Sequence, residues 1–357
     1  METRKVQTVG NGTYTVSLPK EWADAEGIDA GDTVTLHDHV DGVLTIQARD
    51  GSDDRTGTRD RCEDDDPLRA SVPASAVDPT SLERTLRAAY AAGATAVTLE
   101  HEEPLDPDRR RALERIERSR IGTSVTEESD AGTTVRMLLD SEEVSVRQSL
   151  RQLGFVVDSM QRAAIESLSD AEDRTAVTAR DEQADRLSAM IDRSVARGLA
   201  DLEELDALGT TRPDLFESWT AMRELGRVRE AATGIDAVAA RMDDPPTESR
   251  IAEIRELAEE ARSVVSDGVS VVVEDEGVDA ARRALDAQSR TCESIEEFDR
   301  RLAEDDGDTP ELRSVLDRVR RTAERGGVLA ELGLSRAIRR GDPPTERPDG
   351  AIGPTSR

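Results

Sequence analysis

Lysine is almost missing from this chain of 357 residues. Only Lys5 and Lys20 occur, so arginine supplies 46 of the 48 basic residues. Aromatic residues make up 2% of the sequence, so any core has to be built from Leu, Val, Ile, Ala and Met, a palette that suits helical packing better than a β-sandwich. Cys62 and Cys292 stand far apart, and two such cysteines provide no disulfide framework. His37, His39 and His101 have no zinc-binding spacing with them. The N-terminus lacks an apolar signal core, and no run approaches the roughly 18 apolar residues of a membrane span. A soluble cytoplasmic protein without membrane insertion is therefore expected. Catalytic signatures are missing too. Gly10-x-Gly12 is followed by strand pattern where a dinucleotide fingerprint needs a helix, and there is no Walker A loop, nucleophile elbow or Cys-His pair. The acidic pairs Glu127-Glu128 and Glu142-Glu143 read as solvated. With no nucleophile or base in view, the expectation is no enzyme.

What the chain has in excess is negative charge: 77 acidic residues give a net of −29. Apolar residues nonetheless recur at regular spacing, so the acidity belongs to a surface and not to a disordered chain. This composition resembles that of proteins from salt-in halophiles, whose carboxylate-rich surfaces stay hydrated in concentrated salt. The charge therefore says nothing about a basic ligand. Against it, Arg4, Lys5 and Lys20 facing only Glu2 give residues 1–20 a net of +2. A basic spot on an acidic molecule points to an anionic partner, of which nucleic acid is the commonest.

Pattern divides the chain into a unit at 1–50, a linker at 51–67 poor in apolar residues, a small α/β region at 68–140, a six-helix domain at 142–341 and a disordered tail at 342–357. In the first unit, Lys5–Gly10 and Thr13–Leu18 read as strands joined by Gly10-Asn11-Gly12. Pro19 opens a short helix ended by Gly27, and two more strands, Thr33–His37 and Val43–Ala48, follow. The α/β region reads as a helix at Leu82–Tyr90 capped by Ser81, a strand at Ala96–Glu100, a basic helix at Asp106–Arg118, and strands at Ile121–Glu128 and Thr133–Leu139. From Glu142 onward, apolar residues repeat at three- and four-residue steps, as in Leu150, Leu153, Val157, Met160 and Ala164. Arg212-Pro213, Asp244-Pro245-Pro246 and Pro343-Pro344 punctuate the pattern. The expected fold is multidomain and mainly α, ending in two antiparallel three-helix bundles.

The first unit resembles the AbrB/SpoVT family of DNA-binding domains. Val9-Gly10-Asn11-Gly12, Thr15-Val16-Ser17-Leu18-Pro19-Lys20, Gly27-Ile28 and Gly31-Asp32 carry the resemblance over about 48 residues. It implies that two chains exchange hairpins to build one shared barrel and a homodimer. It further implies that Arg4, Lys5 and Lys20 meet DNA phosphates, with Asn11 and Thr13 reaching further polar groups. A barrel that only dimerises is the other reading of the same residues.

The helical half resembles the PhoU family of phosphate-uptake regulators, through Arg180-Asp181-Glu182-Gln183-Ala184-Asp185-Arg186-Leu187 and through Arg321–Glu331. The combination is similar to archaeal proteins that join an AbrB-type head to a PhoU-type body. The resemblance implies phosphate-transporter components as partners. It also implies a divalent or iron-type metal held by acid pairs four residues apart, here Asp181 and Asp185. The second acid pair would fall at Gly226 and Glu230, where only the glutamate is acidic. In the last helices, Asp286/Arg290 and Asp317/Arg321 carry arginine in place of an acid, which implies salt bridges there. Metal ligation and plain structural carboxylates both remain open for Asp181 and Asp185.

Overall fold

A computed structural model describes residues 3–10, 12–39, 42–48, 69–101, 103–129, 132–169, 175–242, 246–304 and 310–342. Asn11, Cys62, the linker expected at 51–67 and the tail from 343 onward lie outside the described residues. The chain divides into two compact units, 1–63 and 64–357.

The first unit consists of two hairpins and a short helix. Strands β1 (Gln7–Val9) and β2 (Thr13–Thr15) pair antiparallel, as do β3 (Val34–Asp38) and β4 (Leu44–Ala48). The turn between β1 and β2 needs glycine for its backbone alone. Gly10 and Gly12 sit at φ +68° and +127°, and a Cβ on either would meet open space. Helix α1 (Lys20–Ala25) starts one residue later than the sequence suggests, with Pro19 as its N-cap. Gly27, at φ +70°, follows its end as expected. The Gly31-Asp32 turn is tied by the Asp32 carboxylate, which accepts from the Asp29 N–H at 2.7 Å.

The second unit begins with a four-stranded sheet. Strands β5 (Arg69–Pro73), β6 (Ala96–Glu100), β7 (Thr123–Ser129) and β8 (Gly132–Met137) lie in the order β5-β6-β8-β7, with β5 and β6 parallel and the rest antiparallel. Strand β5 is absent from the sequence reading. Its residues Arg-Ala-Ser-Val-Pro are nearly all exposed and show no apolar period, because an edge strand needs only the backbone ladder of β6. Helices α2 (Pro79–Ala91) and α3 (Pro107–Ser119) place Leu82, Leu86, Tyr90, Leu113 and Ile116 in one core with Val97, Leu99, Val135 and Met137 of the sheet. The cap of α2 is Asp78, whose carboxylate accepts from the N–H groups of Thr80 and Ser81, so the assignment to Ser81 is corrected. Ser81 instead lies in the first turn, where its hydroxyl donates to Asp78.

The remaining helices are α4 (Val146–Glu166), α5 (Thr175–Ala200), α6 (Leu202–Ala207), α7 (Arg212–Ala239), α8 (Glu248–Val273), α9 (Val278–Ala303) and α10 (Pro310–Arg340). The six long helices match the expected six, apart from α6. There Asp201 caps a new helix through the Glu203 N–H, and Leu199 is left exposed. Helices α4, α5 and α7 pack together, as do α8, α9 and α10, and the two groups share a single apolar core running from Val144 to Leu329. At its centre the buried amide of Gln161 on α4 donates to the Val228 carbonyl of α7 at 2.7 Å and to the Thr322 hydroxyl of α10 at 3.2 Å. Helices α8 and α10 touch backbone to backbone. A Cβ on Gly326 would lie 2.7 Å from the Val265 nitrogen, and one on Gly268 would lie 2.7 Å from the Gly326 carbonyl oxygen. Gly326, within the Arg321–Glu331 stretch, thus sits at a close helix crossing.

Arg193 of α5 fastens the sheet to the helices. It is 1% exposed and donates to the carbonyls of Tyr90, Ala94 and Met137 at 2.8 to 3.1 Å, while its guanidinium lies 5.1 Å from the Tyr90 ring centre. Burial pushes its pKa down to about 10, which still leaves it protonated at neutral pH. Among the described residues, no helix is long and apolar enough to cross a membrane.

Candidate nucleic-acid interface and metal site

In the first unit, Arg4, Lys5, Thr13 and Lys20 are all exposed. Lys5 precedes β1 instead of lying within it, because the ladder begins at Gln7. Thr13 opens β2 opposite Val9. Lys20 is the first residue of α1, where a cation opposes the helix dipole, so its charge does nothing for the stability of that helix. Asn11 lies outside the described residues.

The same unit leaves its apolar side chains uncovered. Val6, Val9, Tyr14, Leu36 and Leu44 are between 56% and 75% exposed, and no described residue of this unit belongs to either apolar core. On the second hairpin, Leu36 pairs with Ile46 and Asp38 with Leu44, which sets Leu36, Ile46 and Leu44 on one face. Two short hairpins with such a face cannot close a core within one chain.

The carboxylates of the second unit have a different setting. Asp181 and Asp185 lie one turn apart on α5, but arginines surround them. Asp185 accepts from Arg120 at 2.9 Å and lies 3.6 Å from Arg87 and 3.9 Å from Arg229. Asp181 pairs with Arg229 at 3.3 Å. Gly226 and Glu230 of α7, the positions that the PhoU resemblance implies for the second pair, line the same hollow as Asp185. Arg229 stands between the two acid positions, however, and its charge repels a dication. Among the described residues, no group of three or more His, Cys, Asp or Glu side chains is placed to hold a metal ion. The donor set does not fit a metal, and the structural alternative for Asp181 and Asp185 is the one the contacts support. In α10, Arg321 pairs with Asp317 at 2.9 Å, the salt bridge expected where an acid is replaced.

Other charged residues of the second unit do structural work. The arginines of α3 are engaged locally: Arg109 binds Asp106 and the carbonyls of Ala74 and Val77, Arg115 binds Glu83, and Arg118 binds Glu114. Glu142 and Glu143 are exposed, in keeping with the solvated reading. A buried network that no short motif announces joins α7, α10 and the turn after α8. Arg336 is 4% exposed and contacts Asp214, Glu217 and Asp275 at 2.8 to 2.9 Å, and Arg339 adds contacts to Asp214 and Glu217. Burial pulls the Arg336 pKa down, but its acidic partners outweigh that and raise it. Asp275 is also desolvated, yet hydrogen bonds from Arg147 and Arg336 hold its carboxyl below the usual range.

The family described as antidote-toxin recognition MazE, bacterial antitoxin, matches residues 7–53. The matched segment begins with β1 and includes both hairpins. It supports an N-terminal domain of the MazE/AbrB swapped-hairpin, DNA-binding type, in agreement with the motif that runs from Val9 to Asp32. No curated protein matches this chain.

Proposed function

We propose that this chain is a DNA-binding transcriptional regulator of phosphate uptake, acting in the cytoplasm as a homodimer and without a catalytic step of its own. The MazE-type match over residues 7–53 is the observation that carries the DNA-binding part. The exposed apolar face of the two hairpins supports a second copy of the chain as the occupant. In that dimer the two copies of Arg4, Lys5 and Lys20 contact phosphates, while Asn11 and Thr13 reach neighbouring polar groups. The resemblance of α5 and α10 to PhoU segments supports a phosphate-linked role for the helical unit, exercised through DNA occupancy and through contact with transporter components. Coupling between the two units is then allosteric.

A second reading has its own observation. The described residues of the first unit carry six acids (Glu21, Asp24, Glu26, Asp29, Asp32 and Asp38) against Arg4, Lys5 and Lys20. Phosphate contacts dominate DNA affinity, so this balance favours an adaptor whose barrel only dimerises. A mobility-shift assay in molar potassium chloride separates the two. The regulator shifts promoter fragments of phosphate-transport genes, and the Lys5→Ala/Lys20→Ala double variant loses the shift. No shift with any fragment, or an equal shift with the variant, leaves the adaptor. The phosphate link is tested by transcript levels after deletion of the gene. Unchanged phosphate-transport transcripts at both high and low phosphate sink it.

A further inference from the structure

The hollow beside Asp185 encloses about 300 Å³, near the lower end of the range for small-molecule sites. It lies where α2 and the end of α3 meet α5 and α7. Five arginines line it (Arg87, Arg120, Arg223, Arg227 and Arg229) against three carboxylates, Asp185, Asp192 and Glu230. A local excess of guanidinium in a chain of net charge −29 runs against the composition of the whole molecule.

Acids just outside the lining offset this excess, but the pairing is uneven. Asp192 accepts from the Trp219 indole at 2.8 Å, and Arg223 lies over the Trp219 ring at 5.9 Å. Arg227 is paired with Glu224. The remaining three, Arg87, Arg120 and Arg229, converge on the single carboxylate of Asp185. Glu83 and Asp181 each take one further contact from Arg87 and Arg229. Arg120 is the telling member. It is 6% exposed, donates to the Ser119 carbonyl and to Asp185, and keeps a buried Nε–H without a hydrogen-bond partner. A buried donor left unsatisfied costs free energy, and such exceptions call for an explanation. A ligand that accepts from it provides one.

We propose that this cavity is a binding site for a small phosphate-bearing anion. The planar, permanently charged guanidinium matches the oxygens of a phosphate group better than any other side chain does. Asp185 is then the resident acceptor that gathers the arginines while the site is empty of ligand, and an incoming dianion shares or takes over its partners. The contacts reverse the sign of the ligand that the acid pair suggested, from cation to anion. The site stands on its own geometry and does not depend on the DNA-binding reading. Under that reading it is where a phosphate signal enters the helical unit, because Arg87 and Arg120 belong to the sheet module while Asp185 and Arg229 belong to the helices.

Isothermal titration calorimetry of the full chain, without DNA or divalent metal, tests the assignment with three probes: orthophosphate, pyrophosphate and adenosine monophosphate. Saturable one-site binding of at least one is expected, and the best binder tells free phosphate from a phosphoester. Arg229→Gln and the half-exposed Arg87→Gln should each weaken that binding roughly tenfold or more, the scale of a lost charged hydrogen bond. Asp185→Asn should strengthen it several-fold by removing the competing carboxylate. Circular dichroism confirms that each variant is folded. The proposal is overturned if none of the three probes saturates, if both arginine variants bind like the parent, or if folded Asp185→Asn binds no more tightly.

Discussion

The two units use apolar residues in opposite ways. In the second unit most of the Leu, Val, Ile and Ala side chains of the helices are buried in a shared core, and even its buried charges find several partners. In the hairpin unit Val6, Val9, Tyr14, Leu36 and Leu44 remain in the open, although all but Val6 lie on paired strands. The difference is one of chain length per core. A long run of amphipathic helices can close on itself, whereas about 50 residues with strands of three to five residues cannot. The helical unit closes an apolar core within one chain, and no described residue of the hairpin unit joins one.

The largest test of this contrast is to break the closed unit from within. Arg336→Ala leaves Asp214, Glu217 and Asp275 without their shared cation, and Glu217 is itself buried. A loss of about 3–5 kcal/mol is expected in denaturant unfolding followed by helical circular dichroism. A change below 1 kcal/mol would mean that the network is held mainly by Arg339 and by Arg340, which also pairs with Asp275. Next in size is the open unit. Leu36→Asp/Leu44→Asp removes apolar surface worth roughly 1.5–3 kcal/mol for each side chain a partner buries. Light scattering should then report a monomer, while the melting of the helices stays put. A variant that remains dimeric contradicts the hairpin interface.

Glycines sharpen the comparison inside the helical unit. Gly268→Ala forces a Cβ against the Gly326 carbonyl and should cost about 1–3 kcal/mol. Gly226→Ala on α7 meets nothing within 4 Å and should instead stabilise by roughly 0.5–1 kcal/mol. Chemical denaturation of the two variants side by side gives the sign of each. The smallest effect is on pH. The Asp275 carboxyl is held below its ordinary value, so its contribution is fully present above about pH 4 and is lost as the pH falls through the lowered folded-state value. The melting-temperature gap between the parent and Asp275→Asn should be flat from pH 7 to 5 and close only below about pH 4. A gap that closes near neutrality would point to a different titrating group.

Much of the fold was legible because its signals are local. The six long helices were visible from apolar spacing and from proline breaks, and the turn at Gly10 to Gly12 from residue types that tolerate positive φ. Strand β5 was not, since an exposed edge strand borrows its order from β6. The cap of α2 was misread because Asp78 and Ser81 are both capping residues, and only the coordinates show which one the backbone N–H groups meet. Of the candidate sites, the residues proposed to contact DNA come from the N-terminal segment around the hairpin motif and are exposed where they are described. The acid pair at Asp181 and Asp185 lies on one helix face, but nothing in its spacing could disclose arginines 44 to 98 residues from Asp185 in the sequence.

The sequence by itself determined the succession of the long helices, the helical character of the second unit and the hairpin motif of the first. Each of these follows from propensities and periods that act over a few residues. Tertiary structure alone decided that α8 and α10 meet at glycine and that Arg193 fastens the sheet to α5. It also decided that Arg87, Arg120 and Arg229 gather round Asp185. The physical reason is common to all three. Close packing and charge pairing depend on which side chains the folded chain brings within a few ångströms, and a linear sequence does not contain those distances.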